Sequence, residues 1–180
     1  MKEADKKEIQ SVLQDGMNAL TEALRGVGED TARLRPQRDS WSVLECVEHI
    51  ALTETALLSR LREAKPAEAS HEDRAREARF QELALNRLRR IEAPELVIPT
   101  AQSESLEGAC ETFRNIRAET IRFIDDFEGD LKSWLTTHPL ITRPVNCYEM
   151  LLLIALHPKR HAQQIAGIRE QLSRPRSQME

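Results

Sequence analysis

Near the start of the chain Ile9, Val12, Leu13, Met17, Leu20 and Leu24 recur at spacings of three and four, the pattern of one buried stripe along a helix. Gly26 and Gly28 predict its end. Ser42-Val-Leu-Glu45 then reads as a capping box. In that arrangement the serine hydroxyl accepts from the amide three residues on, while the glutamate accepts from the serine amide. Trp41, just before the box and facing Cys46, holds the position of a hydrophobic staple. A second helix is predicted from about Ser42 to about Lys65, where Pro66 stops it.

Residues 62–93 are dense in charges of both signs, and Phe80, Leu83, Ala84, Leu88 and Ile91 predict a shorter amphipathic helix there, an accessory crossover element. Pro94 and Pro99 bracket an extended stretch. Ser105 is the predicted cap of a third long helix, which carries Leu106, Cys110, Phe113, Ile116, Thr120, Ile124 and Phe127 inward and closes at Gly129. Residues 130–145, with Trp134, His138, Pro139 and Pro144, read as a short helical turn plus loop. Asn146 and Glu149 repeat the capping logic and open a fourth helix running to about Leu172. Residues 1–173 are read as one domain, and residues 174–180 as a tail with too little apolar content to order itself.

Four helices can bury their stripes only against one another. The layout therefore predicts an all-α fold, a four-helix bundle with a long crossover carrying an accessory helix. Composition agrees, because 180 residues fill one ordinary domain, and six glycines with eight prolines leave few turns for a sandwich or barrel.

The net charge of −4 and the pI near 5.8 make nucleic acid an improbable partner, since only residues 87–90 (Arg-Leu-Arg-Arg) are locally basic. The longest apolar run, residues 150–156, is seven residues long, against about 20 for a membrane span. The charged start MKEADKKEIQ has no signal-peptide stretch, so a cytoplasmic protein with no membrane partner is expected. Cys46, Cys110 and Cys147 are odd in number and lack C-x-x-C spacing, which predicts reduced, buried thiols. The run 150–156 is apolar on nearly every side, which points either to a homodimer or to full burial inside one chain.

The chemistry must then sit between helices. His157 and His161 are four residues apart on the fourth helix, on one face, and Met150, Ile154, Gln164 and Ile168 share that face. Imidazoles that point into a core need partners, whether backbone or carboxylate acceptors or a metal ion. His49, on the second helix beside Glu45, Cys46, Thr53 and Ala56, adds a third imidazole from a facing element.

Several motifs spread over nearly the whole chain carry a family resemblance. They are W-S-x-x-E-x-x-x-H at residues 41–49, A-P-E-x-x-x-P at 93–99, H-P at 138–139, N-x-Y-E at 146–149 and H-x-x-R-H-x-x-Q-I at 157–165. Together they resemble the DinB/YfiT-like superfamily. The resemblance implies a four-helix bundle, commonly a homodimer, with a divalent metal (nickel, zinc, iron or manganese) held by His49, His157 and His161. It implies activities that include thiol-dependent transfer and isomerisation of small molecules with a cellular thiol.

Two features depart from that pattern. Residues 140–143 (Leu-Ile-Thr-Arg) stand where relatives usually carry a glycine, and Pro158 directly follows a proposed ligand, where a kink over residues 154–157 is expected.

Three imidazoles leave a divalent ion open positions for water or a thiol, which would serve hydrolysis or thiol S-transfer to a small-molecule substrate. Glu45 is either an acceptor that orients His49 or simply the cap of its helix, and Glu149 reads as the partner of Asn146. Gln164 can hydrogen-bond a ligand residue or substrate, and His138 can approach from its loop as a proton carrier or further ligand. Cys46 reads as a small buried hydrophobe before a soft ligand, and His71 as solvated. A reading of a different class is a non-catalytic helical dimer, an interaction or stress-response module with incidental metal or none.

Overall fold

A computed structural model describes residues 3–67, 74–86 and 92–174. The elements in chain order are α1 (Glu3–Leu24), α2 (Glu29–Arg33), α3 (Val43–Arg62), β1 (Lys65–Pro66), α4 (Arg74–Leu85), α5 (Leu106–Asp126), β2 (Trp134–His138), β3 (Ile141–Asn146) and α6 (Cys147–Ser173). The helix starts follow the local chemistry. Ser42 with Glu45, and Asn146 with Glu149, form complete capping boxes, and the Ser105 hydroxyl accepts from the Gly108 amide.

Two apolar clusters fill the bundle, one at each end. Ile9 and Leu13 of α1, Leu58 and Leu61 of α3, Ile124 of α5 and Leu151 of α6 share one. Leu20, Val43, Ile50, Phe113, Ile165 and Ile168 share the other. These partners set the directions: α1 and α6 run one way, α3 and α5 the other. A helix of about 20 residues is about 30 Å long, so the chain leaving the end of α3 must cross that length to start α5 parallel to it. That is why the crossover, residues 63–105, is long enough to carry α4.

The apolar run in α6 is buried within one chain: Met150, Leu151, Leu152, Ile154, Ala155 and Leu156 are all buried, with Leu153 half-buried. α1, α3 and α4 cover it, so its apolarity no longer calls for a second copy. Among the described residues no helix is long and apolar enough to cross a membrane. None of the three cysteines forms a disulfide among the described residues, Cys46 and Cys147 being buried and Cys110 half-buried.

Several expectations change. Residues 130–145 are not a helical turn plus loop. After a 3-10 turn at Leu131–Ser133, β2 and β3 form an antiparallel hairpin, and β1 completes a sheet of order β1-β2-β3. Pro144 is compatible with β3 because that strand is an edge and needs no donor on its outer side. The hairpin turns through Pro139 and Leu140 between the paired His138 and Ile141. Neither has a positive φ, so this turn needs no glycine.

The stretch between Pro94 and Pro99 is also not fully extended, since Glu95–Val97 is a 3-10 turn. Of the residues predicted inward on α5, Cys110, Ile116 and Phe127 are only half-buried, while Ala109 and Arg117 are buried in their place. α6 continues through Pro158. Leu88, Ile91, the basic residues 87–90, His71 and residues 175–180 of the expected tail lie outside the described residues.

Candidate metal centre

His49 lies on the second turn of α3, and His157 and His161 lie one turn apart at the middle of α6. Because α3 and α6 pack antiparallel at this height, the three imidazoles face one another. One nitrogen from each falls within 4.8 Å of the other two, and the ring centroids are 4.5–5.0 Å apart. Nε2 of His157 is 3.0 Å from Nε2 of His161. Among the described residues this is the group of histidine, cysteine and carboxylate donors that comes close enough to share an ion.

The outer nitrogens define the tautomers. Nδ1 of His49 is 2.7 Å from the Val97 carbonyl oxygen. A carbonyl can only accept, so Nδ1–H donates and the Nε2 lone pair is left for the cluster. Likewise Nδ1 of His161 donates to Oε1 of Gln164 at 3.0 Å, which turns the lone pair on its Nε2 toward His157.

The segment bearing Val97 is itself fastened to α3, because the Glu48 carboxylate accepts from the amides of Ala101 (2.9 Å) and Ser103 (2.6 Å). Ala101 sits at φ 53°, a left-handed conformation uncommon without glycine, which these bonds hold in place. Trp41 walls the cluster, its ring 4.6 Å from that of His49 and stacked 6.2 Å from that of His161.

Burial disfavours charge on two of these rings. The His157 imidazole is held well below the ordinary histidine range by burial first, then by the neighbouring His161 and His49 and by the positive Arg160 and Arg117. Burial also lowers His49, opposed by its bond to Val97. At neutral pH both are uncharged donors, the form that ligates a metal.

The donor set fits a divalent cation. Lone pairs turned into a partly dry space repel one another unless something positive lies between them. Metal–nitrogen distances of about 2.0–2.1 Å place donors no more than about 4.2 Å apart, so the present 4.8 Å limit closes with a small movement of the rings.

The other sequence-predicted residues divide. Gln164 does hydrogen-bond a cluster histidine. Glu45 does not orient His49. Its carboxylate accepts from the Ser42 amide and is paired with Arg35, which together hold it below the usual carboxylate range against its burial. Val97 takes the orienting role instead.

Glu149 caps Asn146 and is paired with Arg76. His138 stays on its hairpin, where Nδ1 accepts from the Leu140 amide at 3.1 Å, and it does not join the cluster. Cys46 lies in the apolar core. Sequence reasoning missed Val97, Glu48 and the wall formed by Trp41. The only signal of the last was the tryptophan at the head of the W-S-x-x-E-x-x-x-H motif.

A family model described as the DinB superfamily matches residues 13–165. No curated protein matches the chain. Among solved structures, the chain is similar to YfiT from Bacillus subtilis, described as a probable metal-dependent hydrolase with an unusual four-helix bundle topology. The likeness covers 97% of this chain and 91% of that one, at a TM-score of 0.60 and 14% identity.

Proposed function

The chain belongs to the DinB superfamily, and on that premise we propose that it is a metal-dependent enzyme whose His49, His157 and His161 hold one divalent cation. The observation that carries this reading is the convergence of three imidazoles from two helices, with two of the outer nitrogens committed to Val97 and Gln164. A cation held there supplies Lewis-acid charge that makes a water or a small thiol nucleophilic at neutral pH.

The chain's own residues do the rest. Val97 and Gln164 keep two rings in the ligating tautomer, Trp41 covers one side of the cluster, and burial keeps His157 and His49 free of competing protons. The reaction we assign is attack on a small electrophilic substrate, by hydrolysis as described for YfiT or by transfer of a cellular thiol. Cys147 and Cys110 do not supply that nucleophile: burial pushes Cys147 up to about 12 and raises Cys110. A homodimer in the cytoplasm completes the proposal, the dimer resting on the family resemblance and not on the α6 run, which one chain buries.

Metal analysis of untagged protein tests the site, with about one divalent ion per chain expected in the wild type and loss of it in His161→Ala. Absence of metal from the wild type, or equal content in the variant, refutes the reading. Turnover of a model electrophile with water alone, or only with an added thiol, then separates the two reactions. Inactivity of the loaded protein in every arm would leave a non-catalytic module.

A further inference from the structure

Pro158 lies inside α6, directly after His157. It has no N–H, so the carbonyl of Ile154, which an ordinary residue at 158 would bond, loses its helical donor. Ile154 is 1% exposed, and water does not readily replace that donor. An orphaned carbonyl in such a place is costly.

Opposite it stands Arg117 of α5, 1% exposed. Its Nη2 is 3.5 Å from the Ile154 oxygen and 2.7 Å from Oε2 of Glu54 on α3, and its Nη1 donates to the Leu13 carbonyl of α1 at 3.1 Å. Thr120 donates to the other Glu54 oxygen at 2.7 Å. One side chain thus reaches all three of the other long helices at the level between the two apolar clusters. The distance to Ile154 is long for a neutral donor, but a full charge acts on a carbonyl dipole at that range in a dry interior.

A buried ion pair is a poor source of stability, because apolar residues of similar size often do as well. Burial raises Glu54 and lowers Arg117, each opposed by the other, so its presence here asks for another reason. On the far side the same turn is pressed by α1, where a Cβ on Gly16 would overlap the Ala155 carbonyl oxygen and come within 3.8 Å of Pro158 Cβ. The turn from Ile154 to Pro158, which carries His157, is held between α1 and Arg117.

We propose that Arg117 is a positioning residue: its guanidinium supplies the Ile154 carbonyl with the donor that Pro158 lacks, and so sets the turn that aims His157 at His49. The link to His49 rests on the metal reading above, whereas the bond to Ile154 does not.

A double-mutant cycle tests it. Pro158→Ala restores the missing N–H, and Glu54→Gln with Arg117→Met removes the guanidinium without orphaning a buried carboxylate. Pro158→Ala is expected to raise the urea midpoint much more in the E54Q/R117M background than in the wild type. Cobalt(II) affinity is expected to fall roughly tenfold to a hundredfold in E54Q/R117M, with a changed cobalt visible spectrum. Both should return toward wild type when P158A is added.

Equal effects of P158A in the two backgrounds would overturn the proposal. So would an unchanged cobalt affinity and spectrum in E54Q/R117M. If that pair does not fold, R117K carries the same cycle with Glu54 kept as the partner of the charge and the planar fork that reaches Ile154 removed. Failure of the wild type to bind cobalt counts against the metal reading, and failure of coupling in urea counts against Arg117, so the two show in different measurements.

Discussion

The same substitution, glycine to alanine inside a helix, should have opposite signs at two positions of this chain. Alanine is favoured over glycine in a helix interior by about 1 kcal/mol. At Gly167 of α6 an added Cβ meets nothing within 4 Å, so Gly167→Ala keeps that gain. For a chain of this size it should raise Tm by roughly 2–4 °C.

At Gly16 of α1 the added Cβ overlaps the Ala155 carbonyl oxygen of α6, with the carbonyl carbon 3.5 Å and Pro158 Cβ 3.8 Å away. The obstacle is helical backbone, so no rotamer relieves it and α1 must move off α6. Overpacking of this kind costs about 1–3 kcal/mol. The upper end applies because the displaced pair also buries Ile9, Leu13 and Leu20.

Subtracting the propensity gain leaves Gly16→Ala about 2 kcal/mol less stable than wild type, a fall in Tm of roughly 4–8 °C. Thermal melts followed by circular dichroism, with urea midpoints as a second measure, compare the two variants. If Gly16→Ala melts at or above the wild type, the close parallel approach of α1 to α6 is wrong, and the clamp on the His157 turn is wrong with it.

Three further outcomes follow from the geometry. Cobalt(II) or nickel(II) added to metal-free protein should quench the fluorescence of Trp41, which lies 4.6 Å and 6.2 Å from two of the cluster rings; W41F should abolish the quenching and leave Trp134, and quenching that persists in W41F would place the metal elsewhere. Ellman's reagent at pH 8 should find at most one reactive thiol, Cys110, in the native protein and all three cysteines after unfolding, because Cys147 is pushed up to about 12; fast native reaction of two thiols contradicts the burial. Metal-free protein should lose stability as pH falls below about 6.5, because unfolded His157 takes up a proton that the folded ring, held well below that value, does not. The His157 share of the loss is at most about 2 kcal/mol from pH 7 to pH 5, so urea midpoints at the two pH values should lie closer together in H157Q; an unchanged separation refutes the assignment.

Helix starts were legible because a cap is made by residues three apart, and Ser42 with Glu45 and Asn146 with Glu149 fold as their spacing predicts. The stripe of α1 and the shared face of His157 and His161 were legible for the same reason, since helical periodicity is local. The hairpin was not, because its strands are short and lie among prolines, and their pairing with β1 joins Leu135 to Lys65 across the crossover. No sign of Arg117 lies in the sequence, because only apolar spacing marks the inward face of α5, and a charge buried there is explained only by Glu54, 63 residues earlier.

By itself, then, the amino-acid order determined where the last three of the four long helices begin and which face of α6 carries two imidazoles, since both depend on bonds and spacings within one or two turns. Only the tertiary structure decided that α1 lies parallel to α6 and that His49 completes the cluster. It alone showed that the Val97 carbonyl, 48 residues from His49, selects which ring nitrogen is left to act. Those choices are made by contacts between distant segments, and no local pattern encodes a partner that the chain meets only when it is packed.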